Sequence, residues 1–316
     1  MTRLFIIGNG FDTAHGLPTR YSDFRNHMYE NYAEGQKYFT LPDPIMNNHG
    51  NKVVDYFETG KYLFNILDIS CLNADDMLWE KFEKNLGKLK YDIAFEYSDF
   101  NEAYDKEGEI HDFRTAYNRE NIGQRIYETF KYINIFFSDW VNTIEVEKAR
   151  KKDTFANIAC GGYSFFLNFN YTLTLEKVYN VPEKDIFHIH GIAGDNIIVG
   201  HGLSDERINE LAEEFMGDFM GAEYELERTV RYLKKDTEKI INDNLEFFKG
   251  LGNKDITEIY SFGFSFSDVD LPYIKKICEE IDTSNITWYM NTYKKEDFSD
   301  KIRSCGFKGK IDWFDC

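Results

Sequence analysis

Four apolar residues in a row, Leu4, Phe5, Ile6 and Ile7, lead directly into Gly8-Asn9-Gly10, and that junction constrains this chain more than any other stretch. An uninterrupted apolar run of strand length reads as a strand buried on both faces, the pattern of a parallel sheet. Gly8 and Gly10 can adopt backbone angles closed to other residues and leave room for a phosphate or sugar beside the main chain. A helix starting there would offer free N–H groups to an anion. Two glycines one residue apart also occur in ordinary turns, and Thr13 stands where the dinucleotide fingerprint has its third glycine. The segment reads as the start of an α/β domain that binds its ligand at the first turn.

The chain of 316 residues carries 55 Asp and Glu against 37 Lys and Arg, a net charge of −18. Such a surface repels phosphate backbones, so broad nucleic-acid binding and attachment to anionic membranes are disfavoured. With 28 Phe and 21 Tyr the chain is rich in rings, and core packing explains that excess better than a platform for stacking bases. Cys71, Cys160, Cys278, Cys305 and Cys316 are scattered, odd in number and never spaced Cys-x-x-Cys. They fit neither a disulfide framework nor a zinc ribbon, and no metal is expected. The leading apolar run is too short for a signal peptide, and no stretch approaches the ~20 apolar residues of a membrane span. Together these features read as a reduced, cytoplasmic protein.

Strand-like runs recur at residues 163–170, 185–190, 196–199, 258–264, 286–291 and 310–314. With residues 4–7 they predict a sheet of about seven strands. Ile122, Ile126, Phe130, Ile133, Phe137 and Trp140 repeat at helical spacing, and Val230, Leu233, Thr237, Ile240 and Phe248 do so less regularly, which predicts two long amphipathic helices. Strands alternating with helices imply βαβ units and hence an α/β fold with a mostly parallel, Rossmann-like sheet covered by helices on both faces. The alternation fails between residues 26 and 155. The chain therefore divides into an α/β nucleotide-binding domain of residues 1–25 and 156–316 and a large helical insertion of residues 26–155. Within the insertion, residues 91–121 interleave Asp, Glu, Tyr and Asn with few aliphatics and read as a mobile or loosely packed part.

Ligands of open α/β sheets sit outside the carboxyl ends of the strands. Four such ends in this chain carry polar residues: Asn168 and Asn170; His188 and His190 before Gly191; His201; and Gly263 with Ser265 and Asp268. Each has a plainer reading beside the functional one. Asn168 or Asn170 can cap the helix predicted at 173–179. His188 and His190 alternate along a strand, so at least one serves the core, and His190 at the very end is the candidate for chemistry. His201 between two glycines is either a turn residue or a ligand contact. Ser267 and Asp268 suit the cap of a helix beginning near Val269. Glu80 and Glu83 lie three residues apart on one side of a helix, where most such pairs are solvated. Folded over the glycine turn, they would join Asp12 in a buried acidic cluster with raised pKa values, suited to acid–base work.

With Gly16-Leu17-Pro18 and Asp23-Phe24-Arg25 after the glycine turn, the opening segment resembles the sirtuin superfamily, departing from it by four extra residues, Thr19 to Ser22. The fuller resemblance is to the AbiH family of bacteriophage abortive-infection proteins. It is carried by Gly8-Asn9-Gly10-Phe11-Asp12, by His15-Gly16-Leu17-Pro18 with Tyr21, and by Trp79-Glu80 with Glu83. Asn168-Phe169-Asn170-Tyr171-Thr172, His188-Ile189-His190-Gly191 and Gly263-Phe264-Ser265 with Asp268 complete the ordered set. This resemblance implies an anti-phage factor with a sirtuin-like nucleotide fold. NAD or a related nucleotide would be its ligand, contacted by Gly8, Asn9, Gly10, Phe11, Asp12, Asn168, His188, Gly191, His201, Gly263, Ser265 and Asp268. The sirtuin pattern further implies that Asn170 holds the nicotinamide ribose or a water and that His190 acts as general base. Thr172 stands where that pattern has an Asp, and its four-cysteine zinc module is missing, which argues against a deacylase.

Two functions of different class follow from the resemblance. One is an NAD glycohydrolase that releases ADP-ribose and nicotinamide. The other is a non-catalytic module that senses a nucleotide and engages a phage or host protein through its helical insertion. An oligomer is compatible with either, and a metal-dependent hydrolase built on the acidic residues is a third reading.

Overall fold

The computed structural model describes residues 1–33, 40–50, 52–71, 79–97, 102–292 and 296–316; the side chains of residues 71 and 79–81 fall outside the description. The chain divides into two compact units. Met1–Arg20, Ser138–Ile198 and Asp236–Cys316 form the first, and Tyr21–Phe137 with Val199–Lys235 form the second. Residues 138–155, expected in the helical insertion, belong to the first unit, and residues 199–235, expected in the α/β domain, belong to the second.

Eight strands are present among the described residues: β1 (Thr2–Ile7), β2 (Ile45–Met46), β3 (Lys52–Val53), β4 (Tyr163–Asn168), β5 (Ile186–His188), β6 (Ile256–Phe262), β7 (Thr287–Asn291) and β8 (Lys310–Phe314). β2 and β3 form a small antiparallel ribbon in the second unit. The other six form one sheet in the order β5-β4-β1-β6-β7-β8, every pair parallel. Along the chain that order runs left from β1 through β4 to β5, then restarts on the other side of β1 with β6, β7 and β8. This is the doubly wound, Rossmann-like arrangement, and the direction reverses between β1 and β6.

The sheet is buried on both faces, as the apolar run at β1 requires. Leu4, Phe5, Ile6 and Ile7 are fully buried; Leu4 and Ile6 join one core cluster, Phe5 and Ile7 the other. Much of the aromatic excess is spent here. Phe166, Phe5, Tyr260 and Tyr289 are register partners on four adjacent strands, and their rings stack at 4.8, 5.1 and 4.7 Å with planes within 17° of parallel. On the opposite face Trp288, Met290 and Ile259 pack against the helix Leu271–Glu280 through Tyr273, Ile274 and Ile277.

Four expectations change. The sheet has six strands because residues 196–199 form no ladder: Ile197 and Val199 are buried, but the Ile198 N–H is taken by the His190 carbonyl at 2.9 Å and its carbonyl by the Tyr171 hydroxyl at 2.8 Å. The apolar spacing over 122–140 spans two helices, Asp112–Phe130 and Ile133–Asn142. Spacing reports which face is buried and survives the turn at Lys131 and Tyr132. The spacing over 230–248 spans three helices, Glu223–Tyr232, Thr237–Asp243 and Leu245–Leu251, because Asp236 starts a new helix by accepting the Lys239 N–H. Of the stretch 91–121, Asp92–Glu96 is a helix burying Ile93, Ala94 and Phe95, and residues 112–121 open the long helix. Residues 98–101 lie outside the described residues.

Candidate functional site

The turns that leave β1 and β6 meet where the strand order reverses. The Gly8 N–H donates to the Phe262 carbonyl at 3.0 Å, the Gly10 N–H to the Gly263 carbonyl at 2.9 Å, and the Phe11 N–H to the Gly8 carbonyl at 2.8 Å. A Cβ on Gly10 would stand 2.6 Å from the Cα of Gly263. One on Gly263, where φ is +67°, would stand 2.1 Å from the nitrogen of Phe11. These glycines answer to the approach of two backbones, and the space expected for a phosphate is filled by the neighbouring turn. The helix that follows, Asn9–Ala14, has only 6 residues, and Phe11 within it packs its ring against Phe155, Phe262 and Tyr179. Asn9 is partly exposed.

One residue along, Asp12 is the centre of a buried polar cluster. Its carboxyl accepts from the Thr172 hydroxyl at 2.5 Å and from the Thr174 hydroxyl at 2.8 Å, and the two hydroxyls are 3.0 Å apart. Burial pushes Asp12 up to about 6, while Thr172, Thr174, Asn170 and the charge of His188 pull it down. The Asn170 amide is near enough to act on the carboxyl, yet its Nδ2 makes no hydrogen bond of normal geometry and is buried. Asn168 does not cap the following helix; its Oδ1 accepts the Asn170 N–H at 3.0 Å and so fixes the bend that carries Asn170 past the end of β4.

β5 ends beside this bend. His188 is paired in register with Asn168. Its Nδ1 lies 3.1 Å from the Asn170 carbonyl and its Nε2 lies 2.8 Å from Glu176, whose second carboxylate oxygen is buried without a partner. His190 has turned the other way, into the core: it is 3 % exposed, its Nε2 lies 3.1 Å from the Tyr273 hydroxyl, and its ring meets Phe169 edge-on. Gly191, at φ +81°, lies so close to residue 196 that a Cβ would fall 1.9 Å from that carbonyl oxygen. Of the two histidines that alternate here, His188 therefore reaches the Asp12 cluster and His190 the hydrophobic layer.

Two further histidines are structural. His15 is fully buried, with Nδ1 against the Phe11 carbonyl at 2.6 Å and Nε2 against the Tyr179 hydroxyl at 2.5 Å, and burial lowers it to about 4. His201 belongs to the second unit. Its Nε2 meets the Val230 carbonyl at 2.8 Å, its Nδ1 accepts the Leu203 N–H at 3.2 Å, and burial again lowers it to about 4. Both its ring nitrogens are thus spent on backbone.

The remaining candidates scatter. Gly10, Gly263 and Ser265 line a cleft with Ser261, Asn291 and Glu296 at the ends of β6 and β7. Its volume is about 60 Å³, room for a few waters where nucleotide-sized sites run to roughly 300–1,000 Å³. Asp268 is 93 % exposed and sits 3.6 Å from Lys301, and the helix expected near Val269 begins at Leu271. Glu83, in the second unit, is no solvated charge: it pairs at 2.5 Å with Lys235, itself 2 % exposed. The side chain of Glu80 lies outside the described residues.

The structure thus brings Asp12, Asn168, Asn170 and His188 together at the carboxyl ends of β1, β4 and β5 and adds three residues that the sequence reading passed over: Thr174, Glu176 and, as a partner of Asp12, Thr172. A usable signal existed, since a buried Asp needs donors and Thr-x-Thr two residues past Asn170 supplies them. Among the described residues no three His, Cys, Asp or Glu side chains are grouped as a metal would need, and no helix is long and apolar enough to cross a membrane. A family model described as bacteriophage abortive infection AbiH matches residues 4–292. No curated protein and no solved structure matches the chain.

Proposed function

This chain belongs to the AbiH family of bacteriophage abortive-infection proteins, and we propose that it serves that role by holding NAD or a related nucleotide as a signal around Asp12, Asn170 and His188. The Asn170 amide carries the reading: a buried donor with no hydrogen bond of normal geometry, beside a carboxyl raised to about 6, has a better bond left to make. A ribose hydroxyl suits such a donor, and the cluster lies at the carboxyl ends of β1 and β4, one strand from the reversal of order at which dinucleotides bind in sheets of this winding. The glycine turn does not fit a pyrophosphate cradle, so the reading rests on the ribose end and assigns the phosphates no residue. The helical unit is then the surface offered to a phage or host protein.

Hydrolysis of NAD to ADP-ribose and nicotinamide is the second reading. It is favoured by Asp12, because a carboxyl that titrates near neutrality is suited to acid–base work. The sirtuin resemblance assigns the base to His190 instead, but that ring is enclosed by Phe169 and Tyr273. Calorimetry with NAD, ADP-ribose and ATP, run beside chromatography for released nicotinamide, separates the two. Binding without nicotinamide, abolished by Asn170→Ala, together with phage protection that survives His190→Ala, is the expected outcome. Binding of none of the three overturns the nucleotide reading, and nicotinamide release puts hydrolysis first.

A further inference from the structure

We propose that Asp12 closes a proton-complete ring with Thr172 and Thr174, and that losing its proton breaks the Thr172–Thr174 link of that ring, which makes this cluster a pH-sensitive switch at the carboxyl end of the sheet. The protons can be counted. Three oxygen–oxygen contacts join the group: Thr172 to Asp12 Oδ2 at 2.5 Å, Thr174 to Asp12 Oδ1 at 2.8 Å, and Thr172 to Thr174 at 3.0 Å. Each needs one proton between its oxygens. With Asp12 ionised, the two hydroxyl protons both go to the carboxylate and the threonine oxygens face each other lone pair to lone pair. With Asp12 protonated, one proton serves each contact: Asp12 donates to Thr172, Thr172 to Thr174, and Thr174 back to Asp12.

Burial favours the protonated ring, since it disfavours the charged form and raises Asp12 to about 6. The Asn170 amide, buried with no hydrogen bond of normal geometry, acts on the carboxyl in the opposite direction. From the neighbouring elements, His188 at the end of β5 acts on Asp12 in favour of ionisation. Glu176, on the helix Thr174–Tyr179, stands 2.8 Å behind His188. On Asp12's own helix, His15 is turned away toward Phe11 and Tyr179. When the proton leaves, the Thr172 hydroxyl swings from Thr174 onto the carboxylate, and the two threonine oxygens are left facing each other with no proton between them.

Denaturant unfolding of wild type and Asp12→Asn across pH 4.5 to 8 tests the switch without any nucleotide. A carboxyl whose folded pKa lies above its unfolded value contributes stability at low pH that is lost as pH rises through the folded pKa. Over this pH range the unfolding constant of wild type should rise roughly 30-fold relative to the variant. Infrared spectra of wild type labelled with ¹³C-aspartate give a reading that needs no variant: a protonated carboxyl band that persists above the ordinary carboxylate range and fades near pH 6. Parallel pH curves for the two proteins, or a band that fades near pH 4, overturn the proposal. A protein that binds no nucleotide but titrates near 6 removes the proposed function and leaves the switch. One that binds nucleotide with an ordinary Asp12 does the reverse.

Discussion

Gly10→Ala decides what the opening glycines are for. A methyl group there would lie 2.6 Å from the Gly263 Cα and 3.1 and 3.2 Å from its carbonyl oxygen and carbon. Carbon atoms prefer about 3.5–4.0 Å, so the two turns must separate by close to an ångström. They are tied by the Gly10 to Gly263 and Gly8 to Phe262 hydrogen bonds. Straining one or both costs about 0.5–1.5 kcal/mol each. Overpacking against rigid backbone adds about 1–3 kcal/mol. Alanine's helix preference returns about 1 kcal/mol, because Gly10 lies in a helix. The net expectation is a loss of roughly 1–4 kcal/mol, measured by urea denaturation. Gly250→Ala, in the helix Leu245–Leu251 with nothing within 4 Å of the new methyl, is the control and should be neutral or slightly stabilising. If Gly10→Ala is as stable as wild type while nucleotide binding disappears, the glycines serve the ligand and the packing account is wrong.

Other substitutions probe the rest of the frame. Phe5→Ala removes the ring between Phe166 and Tyr260 in the four-strand stack and should cost about 3–5 kcal/mol in thermal or chemical denaturation, with Phe5→Leu costing visibly less. Lys235→Met removes the ammonium that pairs with the partly buried Glu83 and should destabilise the chain in chemical denaturation, whereas Lys235→Met combined with Glu83→Leu should recover part of the loss. His15 and His201, lowered from 6.5 to about 4, give stability that is complete above pH 6.5 and lost as pH falls toward 4. The slope of stability against pH in that window should reveal the uptake of nearly two protons by these histidines on unfolding, offset by the proton that Asp12 releases, a net of about one. Replacing His201 with Asn should remove about one.

The parallel, helix-covered sheet, the double burial of β1 and the carboxyl-edge position of Asn168, Asn170 and His188 were legible because each depends on local pattern: apolar runs of strand length ending in polar residues. What was not legible depends on partners distant in sequence. Gly8 and Gly10 read as room for a ligand until Gly263, some 250 residues on, is seen to occupy that room. His201 resembled a ligand residue in its glycine-flanked turn until its ring found the Val230 carbonyl and the Leu203 N–H. His190 and His188 could be assigned to opposite faces, but not to which face, since alternation fixes parity and not sign. The run 196–199 failed for a related reason: apolar residues are buried whether or not their main chain finds a ladder.

These differences move the weight of the site along the sheet edge. At the reversal point between β1 and β6, backbone packs on backbone, and the N–H groups of Gly8, Gly10 and Phe11 are already satisfied. One strand over, between β1 and β4, the reverse holds: a carboxyl is buried with more contacts than the threonine hydroxyls have protons to fill, and an amide is buried with no hydrogen bond of normal geometry. Folding leaves few buried polar groups unsatisfied, because each costs about 1–3 kcal/mol. The Asn170 amide and the second carboxylate oxygen of Glu176 are thus the groups near His188 that a further hydrogen bond would stabilise most.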